Sequence, residues 1–235
     1  MKSYQILGII LLTLLILITG CISPEIQEGN PQEYELPGII NTTIYYLNTS
    51  SIDVVQSVTN STTLRIDMGD TGDLNINNPV AVNYSGENVS FNVSKEVVFG
   101  KSYARFEFKS PFTGFVAFTQ QDGQDFSRPL TNNGSVRVVL PLDFTTGSRF
   151  LGIAQPKPDN ITVDTSGREV FIWENPYPEY RVISVKYYEK NAPVILGYFF
   201  AFLFITGVSL FGYYYMVIHK LNKKRAVMER DIRKK

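Results

Sequence analysis

The residues of this chain that could carry out chemistry are few, and histidine is almost absent. The single histidine is at position 219 and the single cysteine at position 21. Residues 22–190 contain no histidine. Ser-His-Asp catalysis, Cys-His catalysis and zinc sites with a histidine ligand are therefore excluded in that segment. The G-x-S-x-G and S-x-x-K motifs are also absent from the sequence. Carboxylates are the remaining candidates for catalysis.

Two short stretches resemble the aspartic-protease triplet. Asp70-Thr71-Gly72 spells it, and Asp164-Thr165-Ser166-Gly167 resembles it with an insertion. The mechanism needs two carboxylates that lie about 3 Å apart and share one proton. In such enzymes an apolar strand leads into the triplet and a small residue follows, whereas here Gly69 precedes and Asp73 follows. We interpret both stretches as turns.

An Asp/Asn-rich stretch has part of a calcium-loop pattern. Asp73, Asn75 and Asn77 place oxygen side chains at positions 1, 3 and 5 of such a loop, with Asp70 just upstream. Asn78 replaces the glycine of position 6 and the glutamate of position 12 is missing, which excludes an EF-hand. A looser surface calcium site on Asp70, Asp73, Asn75 and Asn77 is the alternative to the solvated turn that we favour. No other cofactor is expected.

The first residues predict a lipoprotein signal peptide over residues 1–20. Residues 6–18 are nearly all Ile and Leu, follow Lys2, and precede Thr19-Gly20-Cys21. The four residues that end at Cys21 match the lipobox, whose thiol is alkylated by a membrane lipid. We predict a lipidated Cys21 and a tether over residues 21–38. The alternative is an uncleaved N-terminal helix in which the cysteine is incidental.

A second apolar segment predicts a transmembrane helix over residues 191–218. It contains no charged residue and exceeds the roughly 20 residues needed to cross a bilayer. Residues 219–235 carry 8 Lys and Arg against 2 acidic residues, whereas residues 22–190 carry 13 against 20, a balance of −7. The positive-inside rule then places the basic tail in the cytoplasm and residues 22–190 outside, with residues 39–190 as the exterior β domain. The acidic exterior domain also excludes a nucleic-acid binder.

Glycosylation sequons support the exterior assignment. Eight N-x-[ST] sequons occur, all within the proposed exterior segment, and such sites imply exposed positions in an exported protein. Together with the lipobox they favour an archaeal origin. The predicted N-glycosylation residues are Asn41, Asn48, Asn60, Asn83, Asn88, Asn92, Asn133 and Asn160.

The exterior segment has the periodicity of β-strands. In Ser102–Lys109 the residues Ala104, Phe106 and Phe108 alternate with polar neighbours, and turn signals separate similar stretches along the chain. Roughly ten short strands predict a mainly β fold, an antiparallel β-sandwich followed by one C-terminal transmembrane helix. Residues 120–134 could divide it into two subdomains. One contiguous domain is favoured because the C-terminal piece is marginal in size.

The only tryptophan, Trp173, begins an aromatic-rich stretch that ends at Tyr180. An exposed cluster of this kind could bind glycans or a partner. A lone tryptophan at the end of a strand is more often a core residue, and we favour that interpretation.

The order of these features resembles an uncharacterised family of archaeal membrane lipoproteins. The lipobox and the sequon-bearing β region are followed by Leu140-Pro141-Leu142, the strand ending in Trp173, Val185-Lys186-Tyr187-Tyr188, one span and a basic tail. The resemblance covers most of the chain and implies the same topology and an archaeal source. The modest acidity departs from halophilic members. No catalytic residue follows from the resemblance.

The sequence therefore favours a non-enzymatic cell-surface protein acting in envelope architecture or adhesion, or as the exterior part of a membrane complex. Its expected partners are membrane lipid and other envelope or membrane proteins. The alternative is an extracellular lipoprotein that binds a glycan or a solute. A concave pocket lined by Trp173 and tyrosines would favour ligand capture, and a sandwich with an open strand edge would favour a protein partner. An enzyme is the third interpretation.

Overall fold

The computed structural model describes residues 28–36, 38–68, 76–121, 125–147 and 151–233. A β domain is followed by one long apolar helix, which confirms the predicted fold class. The helix, α1, is Ala192–Arg233, and a 3-10 turn at Pro31–Glu33 precedes the first strand. The strands are β1 Thr42–Leu47, β2 Ser51–Asp67, β3 Asn77–Asn83, β4 Phe91–Val98, β5 Lys101–Gln121, β6 Asp125–Pro129, β7 Ser135–Val139, β8 Phe144–Thr145, β9 Ile153–Gln155, β10 Asn160–Val163, β11 Glu169–Trp173, β12 Val182–Lys186 and β13 Tyr188–Glu189.

The main sheet has the order β10-β11-β7-β1-β2-β5-β3, with β4 paired to β5. All its pairs are antiparallel except β1 with β7, which run parallel from Thr42↔Ser135 to Tyr46↔Val139. The sheet is therefore mixed, a detail that alternation along single strands cannot predict because it depends on which strands become neighbours.

Strands β2 and β5 are each long enough to belong to both layers of the sandwich. They pair along their length, with register shifts between Val58 and Thr63. Phe106 and Phe118 lie on the same strand, yet their ring centroids are 6.1 Å apart. A straight strand would separate them by roughly 40 Å. The paired strands therefore fold back at the irregular register, and each crosses from one layer to the other.

Two close contacts of the backbone, one with a side chain and one with a neighbouring strand, fix this fold-back. The N–H of Asn60, at φ 45°, donates to Thr113 Oγ1 over 2.9 Å. A Cβ atom at Gly114 would overlap the carbonyl oxygen of Val82 and would lie 2.8 Å from Phe112 Cζ. Glycine is required here because β3 approaches the β5 backbone closely.

A smaller sheet, β6-β12-β9, lies with the folded-back strands on one face of the main sheet. One hydrophobic cluster joins them, and it includes Phe118 from before residues 120–134 as well as Phe126, Phe171 and Ile183. The two predicted subdomains thus share this cluster. The boundaries of the signal peptide, tether, exterior domain and tail stay predictions.

One end of the sandwich, called here the anchor end, is where β12 finishes and the chain continues into α1. Lys186 is the last residue of β12. The next residue, Tyr187, donates its hydroxyl to the carbonyl oxygen of Asn48, 3.2 Å away in the turn between β1 and β2. The N–H of Lys190 donates to the carbonyl oxygen of Asp143 over 2.8 Å. The anchor end therefore contains the β1–β2 turn and the loop before β8.

Candidate functional site

Trp173 is a core residue, as favoured from the sequence. Its side chain is 1% exposed, and its Nε1–H donates to the carbonyl oxygen of Pro156 over 2.9 Å. The Phe171 ring lies 6.3 Å from it, centroid to centroid. The indole face is therefore not available to a glycan, and the alternative of an exposed Trp173 binding cluster is wrong.

The carboxylates singled out from the sequence do not form a catalytic pair in the part of the chain that the structure describes. Asp164 occupies a turn in which its Oδ1 accepts from the N–H groups of Ser166 and Arg168, both over 2.9 Å. That arrangement confirms the turn interpretation for Asp164. Asp70, the other half of the proposed pair, lies outside the described residues.

The calcium candidates are mostly outside the described residues as well. Asp70, Asp73 and Asn75 fall there, and Asn77 is an exposed residue that begins β3. Within the ranges that the structure describes, no three His, Cys, Asp or Glu side chains form a metal-binding group. The calcium alternative stays untested. Cys21 and the signal peptide also lie outside the described residues.

Seven of the eight sequon asparagines are exposed, and Asn83 is half-buried. Asn83 holds a turn, since its Oδ1 accepts from the N–H groups of Ser85 and Glu87 over 3.0 and 2.9 Å and its Nδ2 donates to the Glu87 carboxylate over 3.0 Å. Asn48 Nδ2 donates to Asp53 Oδ2 over 3.2 Å. A glycan would replace one hydrogen of each Nδ2 and crowd its carboxylate acceptor, so we expect Asn48 and Asn83 to be the least occupied sequons.

A polar cleft opens between the two layers, at the start of β1 and the loop before β7. Its volume is about 120 Å³, smaller than the roughly 300–1,000 Å³ of typical ligand pockets. Arg65 and Arg128 line it, and Arg128 donates to Gln120 Oε1 over 3.0 Å. The sequons at Asn41 and Asn133 lie on its wall. The lining comes from several separate segments, so no local sequence pattern could have revealed the cleft.

A second polar group, which the sequence did not suggest, surrounds Arg168. Its two terminal nitrogens donate to the two carboxylate oxygens of Glu35 over 2.9 and 2.8 Å, and its Nε donates to Asp164 Oδ2 over 2.6 Å. The guanidinium also lies over the Tyr46 ring, 5.5 Å from its centroid. We call Glu35, Tyr46, Asp164 and Arg168 the arginine clamp. It ties the N-terminal segment to the β10–β11 turn.

The clamp has a consistent electrostatic signature. The hydrogen bonds from Arg168 to Glu35 and, as a smaller effect, to Asp164 raise the pKa of the guanidinium above its ordinary value. Partial burial works against ionisation of Asp164, but the N–H donors of Arg168 outweigh it and lower the pKa of Asp164. Burial, followed by the charge of Glu35, raises the pKa of Tyr46 to about 12. Asp164 and Arg168 therefore stay charged and Tyr46 stays neutral near neutral pH, which suits a structural clamp better than proton transfer.

The rest of the N-terminal segment is held along the same sheet face. The N–H of Gly29 donates to the carbonyl oxygen of Pro79 over 3.0 Å. The buried Tyr34 donates its hydroxyl to the carbonyl oxygen of Asn78 over 2.7 Å, and burial raises its pKa to about 12. Asn78 lies near the start of β3, opposite residues at the end of β5, so the segment crosses the sheet at its anchor end.

Helix α1 has the composition of a membrane span. The segment Ala192–Ala226 has a mean hydropathy of 2.3 in its most apolar window, and none of that window is buried against the described part of the protein. An apolar helix of this length without protein cover is stable in a bilayer, where its backbone hydrogen bonds are satisfied internally.

One family model matches the chain, over residues 40–233, and its description is a family of unknown function, DUF5803. The matched region takes in the β domain and α1. No curated protein matches the chain. The expectation of an uncharacterised family is therefore confirmed. The archaeal origin and the lipobox stay predictions.

Proposed function

We propose that this chain, which belongs to the DUF5803 family of unknown function, is a non-enzymatic cell-surface protein of an archaeal envelope. It displays its β domain outside the membrane as the exterior part of a membrane complex or as an element of envelope architecture or adhesion. The observation that carries this proposal is the direct passage of β12 and β13 into an uncovered apolar helix. The domain is thus held at the membrane surface.

Charge supports the exterior orientation. Basic residues follow the apolar part of α1 directly, at Lys220, Lys223, Lys224 and Arg225. Such clusters stay on the cytoplasmic side, which leaves the β domain outside. The exposed sequons also favour an exterior β domain. Together with the predicted lipobox they support an archaeal source.

The N-terminal lipid anchor fits the same arrangement. The arginine clamp and Tyr34 hold residues 28–36 at the anchor end. Residues 22–27 can extend about 20 Å from there, so a lipidated Cys21 would reach the bilayer that α1 crosses.

The intact mass of the mature protein tests the lipid anchor. We expect loss of residues 1–20 and a lipid adduct, and we expect Cys21→Ser to leave the precursor uncleaved. A mature protein that keeps Met1 and has no lipid would refute the lipid anchor.

An open strand edge favours a protein partner. Strand β10 ends the main sheet, and within the described residues it pairs with β11 alone. Its four residues are exposed, with Ile161 at 55% and Val163 at 66%. The first of them, Asn160, is a predicted glycosylation site, so the edge open to a partner is residues 161–163. Apolar edge strands of this kind pair with other chains unless they are covered.

Crosslinking on intact cells tests the partner hypothesis. We expect a membrane-impermeant crosslinker to recover the same envelope or membrane proteins reproducibly, compared with an unrelated surface protein of equal abundance. Ile161→Lys should remove them, because a charge on the edge opposes strand pairing. The matched control is Ile40→Lys, at a 63% exposed loop residue away from β10. Recovery of no reproducible partner would contradict the proposal.

The alternative, capture of an extracellular glycan or solute, is favoured only by the polar cleft. Its test is a thermal-shift screen of sugars and small anions on the full-length protein. A shift that is lost in Arg65→Ala would support ligand binding in place of a partner role.

A further inference from the structure

The turn between β4 and β5 carries an aromatic side chain that contributes nothing to the packing of the domain. Phe99 is fully exposed, and Val97 is 61% exposed. Phe99 has φ 49° and Gly100 has φ 80°. Residues with positive φ at a two-residue hairpin turn are usually Asn-Gly, because a bulky side chain is strained there. Phenylalanine at this position therefore suggests a role outside the domain. We call Val97–Lys101 the hairpin tip.

A chain of contacts places the hairpin tip at the anchor end. The tip leads into Ser102, whose carbonyl oxygen accepts from the N–H of Met68 over 3.0 Å. Met68 Sδ accepts from Gln120 Nε2 over 3.4 Å. Gln120 pairs with Ile52, which pairs with Leu47 beside the β1–β2 turn. That turn receives the Tyr187 hydroxyl just before α1. The fold-back of β5 is what brings the tip to this end.

The chemistry of the tip suits a lipid surface. The apolar side chains of Val97 and Phe99 are exposed at the turn, and the exposed Lys101 follows them. An aromatic ring settles at the level of the headgroups, and a lysine beside it reaches their phosphates. No sequon falls in the tip; the sequon on the same hairpin, Asn92, lies toward the other end of β4, opposite Glu107.

We propose that the hairpin tip inserts Phe99 and Val97 into the interface of the bilayer that α1 crosses, which fixes the tilt of the β domain. The inference rests on the proposed membrane anchoring. Helix α1 keeps the tip within reach of the surface, so contact is intramolecular and needs little intrinsic affinity. With the lipidated Cys21, the domain would have three points of attachment at one end.

Lipid quenching of tryptophan fluorescence tests the proposal. Full-length protein is reconstituted into vesicles of phosphatidylcholine and phosphatidylglycerol, with or without brominated acyl chains. The tip variant is Phe99→Trp, and Ile40→Trp is the matched control, on an exposed residue beside the start of β1 and thus at the opposite end. Wild-type emission from the buried Trp173 is subtracted. We expect a blue shift and quenching by brominated lipid at position 99, and neither at position 40.

A third variant separates failure of this inference from failure of anchoring. Phe204→Trp lies within the apolar part of α1 and reports on membrane insertion. If brominated lipid quenches the tryptophan at position 204 but not the one at position 99, and aqueous iodide quenches the one at position 99, the tip proposal is overturned and the anchoring stays intact. Absence of quenching at both would overturn the anchoring. A concentration-dependent blue shift at position 99 without lipid quenching would overturn lipid contact in favour of a second copy of the chain.

Discussion

At the level of single residues, the arginine clamp helps to position the N-terminal segment, together with Gly29 and Tyr34. Arg168 uses its planar guanidinium to hold Glu35 through two hydrogen bonds and Asp164 through a third. A lysine could not reproduce this geometry. The clamp positions the segment that follows the predicted lipid anchor, so it links the fold to the proposed attachment.

Arg168→Ala should release the N-terminal segment. We expect the free energy of unfolding in detergent micelles to fall by roughly 1–2 kcal/mol, since the bond to the exposed Glu35 is screened by solvent. Hydrogen exchange over residues 28–36 should increase. The control is Arg65→Ala, which removes one exposed ion pair with Glu96 and should leave exchange there unchanged. Unchanged protection in Arg168→Ala would show that the contacts of Gly29 and Tyr34 hold the segment without the clamp.

The clamp should weaken in acid. The folded-state pKa of Asp164 is lowered, so its stabilising contribution is complete above the unfolded value of about 3.9 and is lost as pH falls through the folded value. Denaturant titrations of the wild type and Asp164→Asn should differ at neutral pH and converge below about pH 4. A difference that stays constant down to the lowest pH would contradict this assignment.

At the level of elements, the two long strands shape the molecule. The alternation of Ser102–Lys109 was sufficient to predict that part of β5 and its buried side, Ala104, Phe106 and Phe108. The sequence did not show that the strand continues to Gln121, because the exposed residues before Phe112 look like a loop. The fold-back depends on contacts between distant segments, such as Gly114 with Val82, which no local pattern records.

Gly114→Ala should destabilise the domain. The added methyl would overlap the Val82 carbonyl oxygen and crowd Asn83 and Phe112, which costs about 1–3 kcal/mol where neighbours cannot relax. Gly147→Ala is the control, because its Cβ would meet its nearest neighbour, Thr145 Oγ1, at an ordinary 3.4 Å and should change stability by less than about 0.5 kcal/mol. Equal melting temperatures for the two variants would show that β3 can move away from β5.

At the level of the whole molecule, the sequence predicted more of the fold class than of the site. The apolar run after residue 190 was sufficient to predict the apolar part of α1, since a span depends on length and hydropathy alone, but not the continuation of the helix through the basic residues to Arg233. The burial of Trp173 agreed with the general behaviour of tryptophan. The polar cleft, the arginine clamp and the position of the hairpin tip could not be predicted, because each joins segments that are distant in sequence.

The central claim is that α1 holds the β domain outside the cell. Two variants each add one cysteine: Glu179→Cys in an exposed turn of the β domain, and Lys224→Cys in the basic part of α1. The wild type measures any labelling of Cys21, which is subtracted. A membrane-impermeant maleimide on intact cells should label position 179, and should label position 224 only after lysis. Labelling of position 224 on intact cells, with position 179 protected until lysis, would contradict the account.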